Sequence, residues 1–467
     1  MTSSVARDPD RLFPVDPSTR SIARELHAGV AQAPIVSPHG HVPVEMIEAN
    51  QPFQDPAALL VIKDHYVTRL LHAAGVRFED LGQNPDHPGD PRAIWRSLCD
   101  HWRIFAGTAS GYWLSETLST VFGLHDELTS GTADATFDQI ETVLSQPRMR
   151  PRTIFDDFGI AILATTDDVL DDLSAHRALA DDPTFAPRVL PTFRPDNYLD
   201  TEGPAFADRV GALLAHTGEP TTFAGYLRAL EARRAHFIDH GATSADHGVV
   251  SPYTVDLDAH AAQDLFDAAL AGDLDTAGTH AFCGHMLMQM ARMSVADGLV
   301  MTVHPGVRRN HHTGTFRAFG ADKGHDIPLG TGYTDNLRPL LELYGLEPGF
   351  HLVLFTVDET TFSREIAPLA GFYPSVYAGA PWWFLDAPDA MNRFRSAVTE
   401  TAGFYRTSGF IDDTRAFLSI PARHDTSRRV DAGFLARLVA EGRISLDTAT
   451  AVMGDLVDAI PRQVFKL

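Results

Sequence analysis

Short apolar runs bounded by turn residues recur along the chain at 33–41, 159–168, 188–196, 243–248, 298–306, 351–358, 374–384 and 408–415. Several, such as GIAILATTDD and GLVMTVHPG, are apolar at consecutive rather than alternate positions, the pattern of a strand covered on both faces. Helical patterns fall between them. Eight buried strands alternating with helices predict an α/β fold in which the strands close into a parallel (β/α)8 TIM barrel. Each run ends in polar or charged residues, at the end where such a barrel carries its chemistry. A doubly wound open sheet competes with this reading, but no run leads into G-x-G-x-x-G and no G-x-x-x-x-G-K-[ST] occurs.

The stretch between the first two runs is far longer than one crossover helix, and it reads as helical at 55–76, 90–107 and 111–124. The expected organisation is therefore an N-terminal segment with the first barrel strand (1–49), a helical insertion (50–150), the remaining barrel (151–430) and C-terminal helices (431–467). Within the insertion, WRSLCDHWRIF spaces its aromatics to fit one helix face, and packing against the barrel accounts for them.

Composition narrows the function classes. With 44% hydrophobic and 21% charged residues over 467 positions, a large core is available. Acidic residues outnumber basic ones 61 to 38 without any Lys/Arg block, so nucleic acid is not an expected partner. Cys99 and Cys283 sit in apolar helical contexts without C-x-x-C, which excludes a disulfide framework and a zinc knuckle and fits a reducing compartment. The N-terminus has no apolar signal core and no apolar run reaches membrane-spanning length, so a cytoplasmic protein is expected.

The chemistry concentrates at the run ends. His39 and His41 stand two apart at the end of the first run, and alternation along a strand would aim both at one metal. A carboxylate from another strand end is the natural third ligand. Asp413 fills that role after the eighth run, the barrel neighbour of the first, and Asp412 is the alternative if the register differs by one. Arg194, His304, Arg309, Asn310, Trp382, Trp383, Arg415 and Arg423 cluster at other run ends. Guanidinium groups beside a metal predict a carboxylate-bearing substrate held bidentately.

The stretches SPHGHVP (37–43), DHYVTRLLHAAGV (64–76), HWRIFAGT (101–108), TTDDVLDDLSAH (165–176), FRPD (193–196), HPGVRRN (304–310), PWWFLD (381–386) and DDTRAFLSIPARHD (412–425) resemble uronate isomerase of the amidohydrolase superfamily. The resemblance implies a distorted (β/α)8 barrel with a helical insertion and one divalent metal, zinc being the expected ion. It implies the interconversion of a hexuronate, D-glucuronate or D-galacturonate, with its ketouronate, D-fructuronate or D-tagaturonate. The implied metal ligands are His39, His41 and Asp413. Tyr66, Arg194, Arg309, a tryptophan of the Trp382–Trp383 pair, Arg415 and Arg423 correspond to residues lining the sugar, and His304 to a contact with metal or substrate. Asp413 is the expected base, with Tyr66 relaying a proton. The expected partner is a small sugar acid, with no nucleic acid and no membrane, and a homo-oligomer is compatible with the sequence. The alternative is a metal-dependent hydrolase or decarboxylase acting on another carboxylate, since the same ligands can activate water.

Overall fold

A computed structural model describes residues 8–84, 86–201 and 205–467; residues 1–7 of the expected N-terminal segment lie outside the described part. The strands are β1 Ile35–Ser37, β2 Ile160–Ala164, β3 Asp167–Asp168, β4 Arg188–Leu190, β5 Phe193–Arg194, β6 Ser244–Val249, β7 Val300–Pro305, β8 Val307–Arg308, β9 Ile327–Pro328, β10 Leu352–Leu354 and β11 Val376–Ala378. They form two parallel sheets, ordered β1-β2-β4 and β11-β10-β7-β6-β5-β3, and an antiparallel β8–β9 ribbon. The fold is α/β, with helices between successive parallel strands.

The second and third runs each bend once, giving β2 with β3 and β4 with β5. The break separates the two sheets, yet it is crossed by Thr165 N–H to Leu190 C=O at 2.9 Å and Asp167 N–H to Thr192 C=O at 3.1 Å. Spatial neighbours along both sheets therefore follow chain order from β1 to β11.

The eighth run, expected as a strand, contributes none. It is attached to β11 by a parallel bridge between Ala378 and Thr407 and by Ser408 N–H to Ala378 C=O, and to the first run by His41 N–H to Thr414 C=O at 3.0 Å. Gly409 at φ 73° and Asp413 at φ 41° take this segment out of the extended region, which a ladder cannot tolerate. The first strand is also shorter than its run. It ends at Ser37, because Pro38 has no N–H to donate, and both histidines lie beyond it.

The helices of 50–150 share a core with the sheet. Val67, Leu71, Trp95, Leu98 and Phe137 pack in one buried cluster with Ile35 of β1, Ile160 and Leu163 of β2 and Val189 of β4. Trp95 is fully buried and donates its indole N–H to Thr136 Oγ1 at 3.0 Å. The helix stops at Asp100 and a 3-10 turn over Trp102–Phe105 follows, so the expected aromatic face is divided between two elements. The other strands bury Phe193, Met301, Leu352 and Val376 against helices Phe223–Asp239, Thr276–Asp297 and Pro388–Ala402. Among the described residues no helix is long and apolar enough to cross a membrane.

Candidate active site

A cavity of about 540 Å³ opens where the runs end. Its floor is built from the first, fourth, fifth and eighth runs. His39 and His41 extend from β1, His304 is the penultimate residue of β7, and Asp413 sits in the left-handed turn of the eighth run. One ligand atom from each of His39, His304 and Asp413 lies within 4.8 Å of the others. His39 Nε2 is 3.3 Å and His41 Nε2 2.9 Å from the same oxygen, Asp413 Oδ1.

That oxygen meets neither ring in hydrogen-bond alignment, and His304 Nε2 is also buried without a partner. Buried polar atoms normally find partners, so lone pairs converging on one point without donors are a donor set for a cation. Three imidazole nitrogens and one carboxylate oxygen suit a borderline divalent ion such as zinc. Burial works to raise the Asp413 carboxyl, but His39 and His41 beside it hold it well below the usual carboxylate range. Burial lowers His41, whereas at His39 burial is outweighed by the charges of Asp246 and Asp413 and the imidazole is raised.

Asp246 of β6, absent from the sequence expectations, organises this floor. Its Oδ1 accepts from His304 Nδ1 at 2.6 Å and from Thr302 Oγ1 at 2.7 Å, and its Oδ2 faces Arg194 Nη1 at 3.6 Å. The bond to Nδ1 assigns that nitrogen the proton and leaves the His304 Nε2 lone pair for the cluster. Arg194 is oriented a second time, by Nε–H to Asp196 Oδ2 at 2.8 Å, while Asp196 Oδ1 accepts Gly248 N–H at 2.8 Å. A Cβ at Gly248 would stand 2.7 Å from Asp196 Oδ2 and 3.1 Å from an Arg194 terminal nitrogen, so a side chain there would push this pair off the wall. The clue was the D-H-G ending of the fourth run.

The opposite wall comes from the helical segment and two loops. Asp64 caps helix His65–Ala73, accepting Tyr66 N–H at 2.9 Å and setting Tyr66 in the first turn, facing the cavity. Burial raises the Tyr66 phenol, so it stays protonated and acts as a donor. Arg309 reaches Asp326 at 3.2 Å and lies 4.7 Å above the Trp383 ring. Asn310, in the left-handed region at φ 54°, is held by its N–H to Asp326 Oδ1 at 2.7 Å. Arg415 meets Asp322 at 3.3 Å, and Trp382 packs edge-on against His304 at 4.6 Å.

All but one of the expected site residues line this single cavity. The exception is Arg423, expected to line the sugar. It is 1% exposed on helix Ile420–Ala440 and bound to Asp386 at 2.6 Å, behind the wall. Asp412, the alternative ligand, turns away to His424 Nε2 at 3.1 Å.

A family model described as glucuronate isomerase matches residues 18–463. A relative from Corynebacterium efficiens named uronate isomerase is 52% identical over 469 residues, covering all of both chains. The crystal structure of glucuronate isomerase from Caulobacter crescentus superimposes with a TM-score of 0.97 at 45% identity, over 99% of this chain and 97% of that one. Uronate isomerase from Thermotoga maritima gives a TM-score of 0.92 at 27% identity, over 98% and 99%. With its cavity in place and its similarity running over nearly the whole length, this chain belongs to the glucuronate isomerase family.

Proposed function

We propose that the protein interconverts a hexuronate such as D-glucuronate with its ketouronate, using one divalent ion, zinc being the expected one. His39, His41, His304 and Asp413 would hold the ion. The observation that carries this reading is the meeting of His39 Nε2 and His41 Nε2 at Asp413 Oδ1, an oxygen without a hydrogen-bond partner, in a cavity that also presents a protonated phenol and four guanidinium groups. We read the whole as a distorted (β/α)8 barrel, supported by the chain-order succession of neighbours and by the bonds from the eighth run to both β11 and the first run.

The reaction moves the C2 proton to C1 and the hydroxyl proton from O2 to O1, so it is redox-neutral and needs no nicotinamide. When bound, the metal would supply polarisation of the carbonyl and acidification of the neighbouring hydroxyl. Asp413, held anionic, would carry the carbon-bound proton, and Tyr66 would relay the proton between the two oxygens. Arg309 and Arg415 grip the C6 carboxylate, which fixes C1 and C2 at the floor; such positioning lowers a barrier by several kcal/mol, up to about 7–11 in the best-oriented cases. Metal-replete enzyme is to be assayed on D-glucuronate and D-galacturonate with the ketouronate detected directly. No product from either sugar would refute the proposal.

A further inference from the structure

Behind the cavity wall lies an ion pair that touches no lining space yet joins three segments of the site. Arg423 and Asp386 are 1% and 2% exposed, and Arg423 Nη1 donates to Asp386 Oδ2 at 2.6 Å. The same nitrogen points at the carbonyl of Asp412, 3.4 Å away and one residue before Asp413, and Nε–H donates to Ser419 Oγ at 3.0 Å. Asp386 closes the turn of the two tryptophans, its N–H bonding to Trp383 C=O at 3.2 Å. The guanidinium carbon lies 3.6 Å from the Trp113 ring centroid and 5.5 Å from that of Tyr66, and the two rings meet edge-on at 6.0 Å.

A buried ion pair is a weak source of stability, because desolvation offsets most of the attraction. Its geometry is more informative. A planar cation stacked on aromatic faces fixes their tilt, and a positive charge under a phenol strengthens its O–H as a donor. We propose that Arg423 is a positioning residue for the isomerisation, acting through Tyr66: it holds the phenol in register with Asp413 without touching the sugar. The inference rests on the uronate reading above.

The test is a double-mutant cycle on metal-replete enzyme with D-glucuronate, using Arg423→Lys, Tyr66→Phe and their combination. Lysine keeps the charge but cannot stack flat while reaching Asp386, Ser419 and the Asp412 carbonyl. The expected result is a loss of at least about tenfold in kcat for Arg423→Lys with KM within about threefold, shrinking to less than about threefold in the Tyr66→Phe background. Multiplying losses in both backgrounds, or kcat within about threefold of wild type, would overturn the inference. So would a raised KM at unchanged kcat, which would mean direct contact with substrate. If Arg423→Lys does not fold, Asp386→Leu/Arg423→Met removes both charges together and enters the same cycle under the same criteria. A wild-type enzyme inactive on both uronates would refute the uronate reading itself, whereas a multiplicative cycle on an active enzyme refutes only the role of Arg423.

Discussion

Asp246→Asn removes one charge and almost no volume from the floor of the cavity, so its effect isolates what that charge does. The carboxylate is 1% exposed and takes both His304 Nδ1–H and Thr302 Oγ–H on one oxygen, with Arg194 opposite the other. Asparagine offers one acceptor oxygen and turns an NH₂ toward either the imidazole or the guanidinium. A hydrogen bond to a charged group contributes about 1.5–3 kcal/mol. Independently, removing the partner that orients a metal-bound histidine weakens metal affinity by about 10–100-fold, or about 1.4–2.7 kcal/mol at 1.36 kcal/mol per decade. The two estimates agree. The assay is equilibrium dialysis against chelator-buffered zinc, with bound metal measured by elemental analysis. The expected midpoint lies 10–100-fold above wild type. A midpoint within about twofold of wild type would refute the reasoning, because His304 Nε2 would then owe neither its tautomer nor its aim to Asp246.

Three further outcomes are expected. Asp413→Asn, saturated with metal, should remain at least about a hundredfold slow, since an amide cannot take the C2 proton; full rescue by excess metal would make Asp413 a ligand only. Gly248→Ala should raise KM by displacing Asp196 and Arg194 while leaving the melting temperature within a few degrees, and unchanged kinetics would show that the wall relaxes freely. Asp425 does not line the cavity and pairs with His27, Arg429 and Arg11; burial opposes its charge, but these partners bring it down to about 2. Its folded value lies below the unfolded one, so its contribution of about 2 kcal/mol is present above pH about 4 and lost as pH falls through about 2. Asp425→Asn should therefore melt lower than wild type at pH 7, with the gap narrowing below pH 4, and a gap independent of pH would contradict the assignment.

The apolar runs located every parallel strand, because burial on both faces leaves a continuous signature that survives without knowledge of the fold. They also located His39, His41 and Asp413, though for a reason only partly right. Strand alternation was to aim the histidines together and to decide between Asp412 and Asp413, yet all of them lie outside regular strands, and the choice falls to a left-handed turn at Asp413. No periodicity encodes that turn. Asp246 was overlooked because its run, TSADHG, is itself polar, so a carboxylate in it does not stand out. Arg423 misled for the opposite reason: its neighbourhood in sequence is the eighth run, but it rides a helix whose axis carries it behind the wall.

The two arginines proposed to take the sugar's carboxylate already have partners. Arg309 is already joined to Asp326 and Arg415 to Asp322, and both acids belong to one loop between helix Thr313–Phe319 and β9. On the proposed reading, substrate capture is a swap of partners in which an incoming carboxylate displaces both acids; Asp322 can turn to water, whereas Asp326, 3% exposed, keeps the Asn310 N–H at 2.7 Å. At Arg415 such a swap is nearly balanced in free energy, because its resident partner is exposed. Product leaves by the reverse swap, with the loop's own carboxylates competing for the guanidinium groups. On that reading the arginines act as a turnstile rather than a trap.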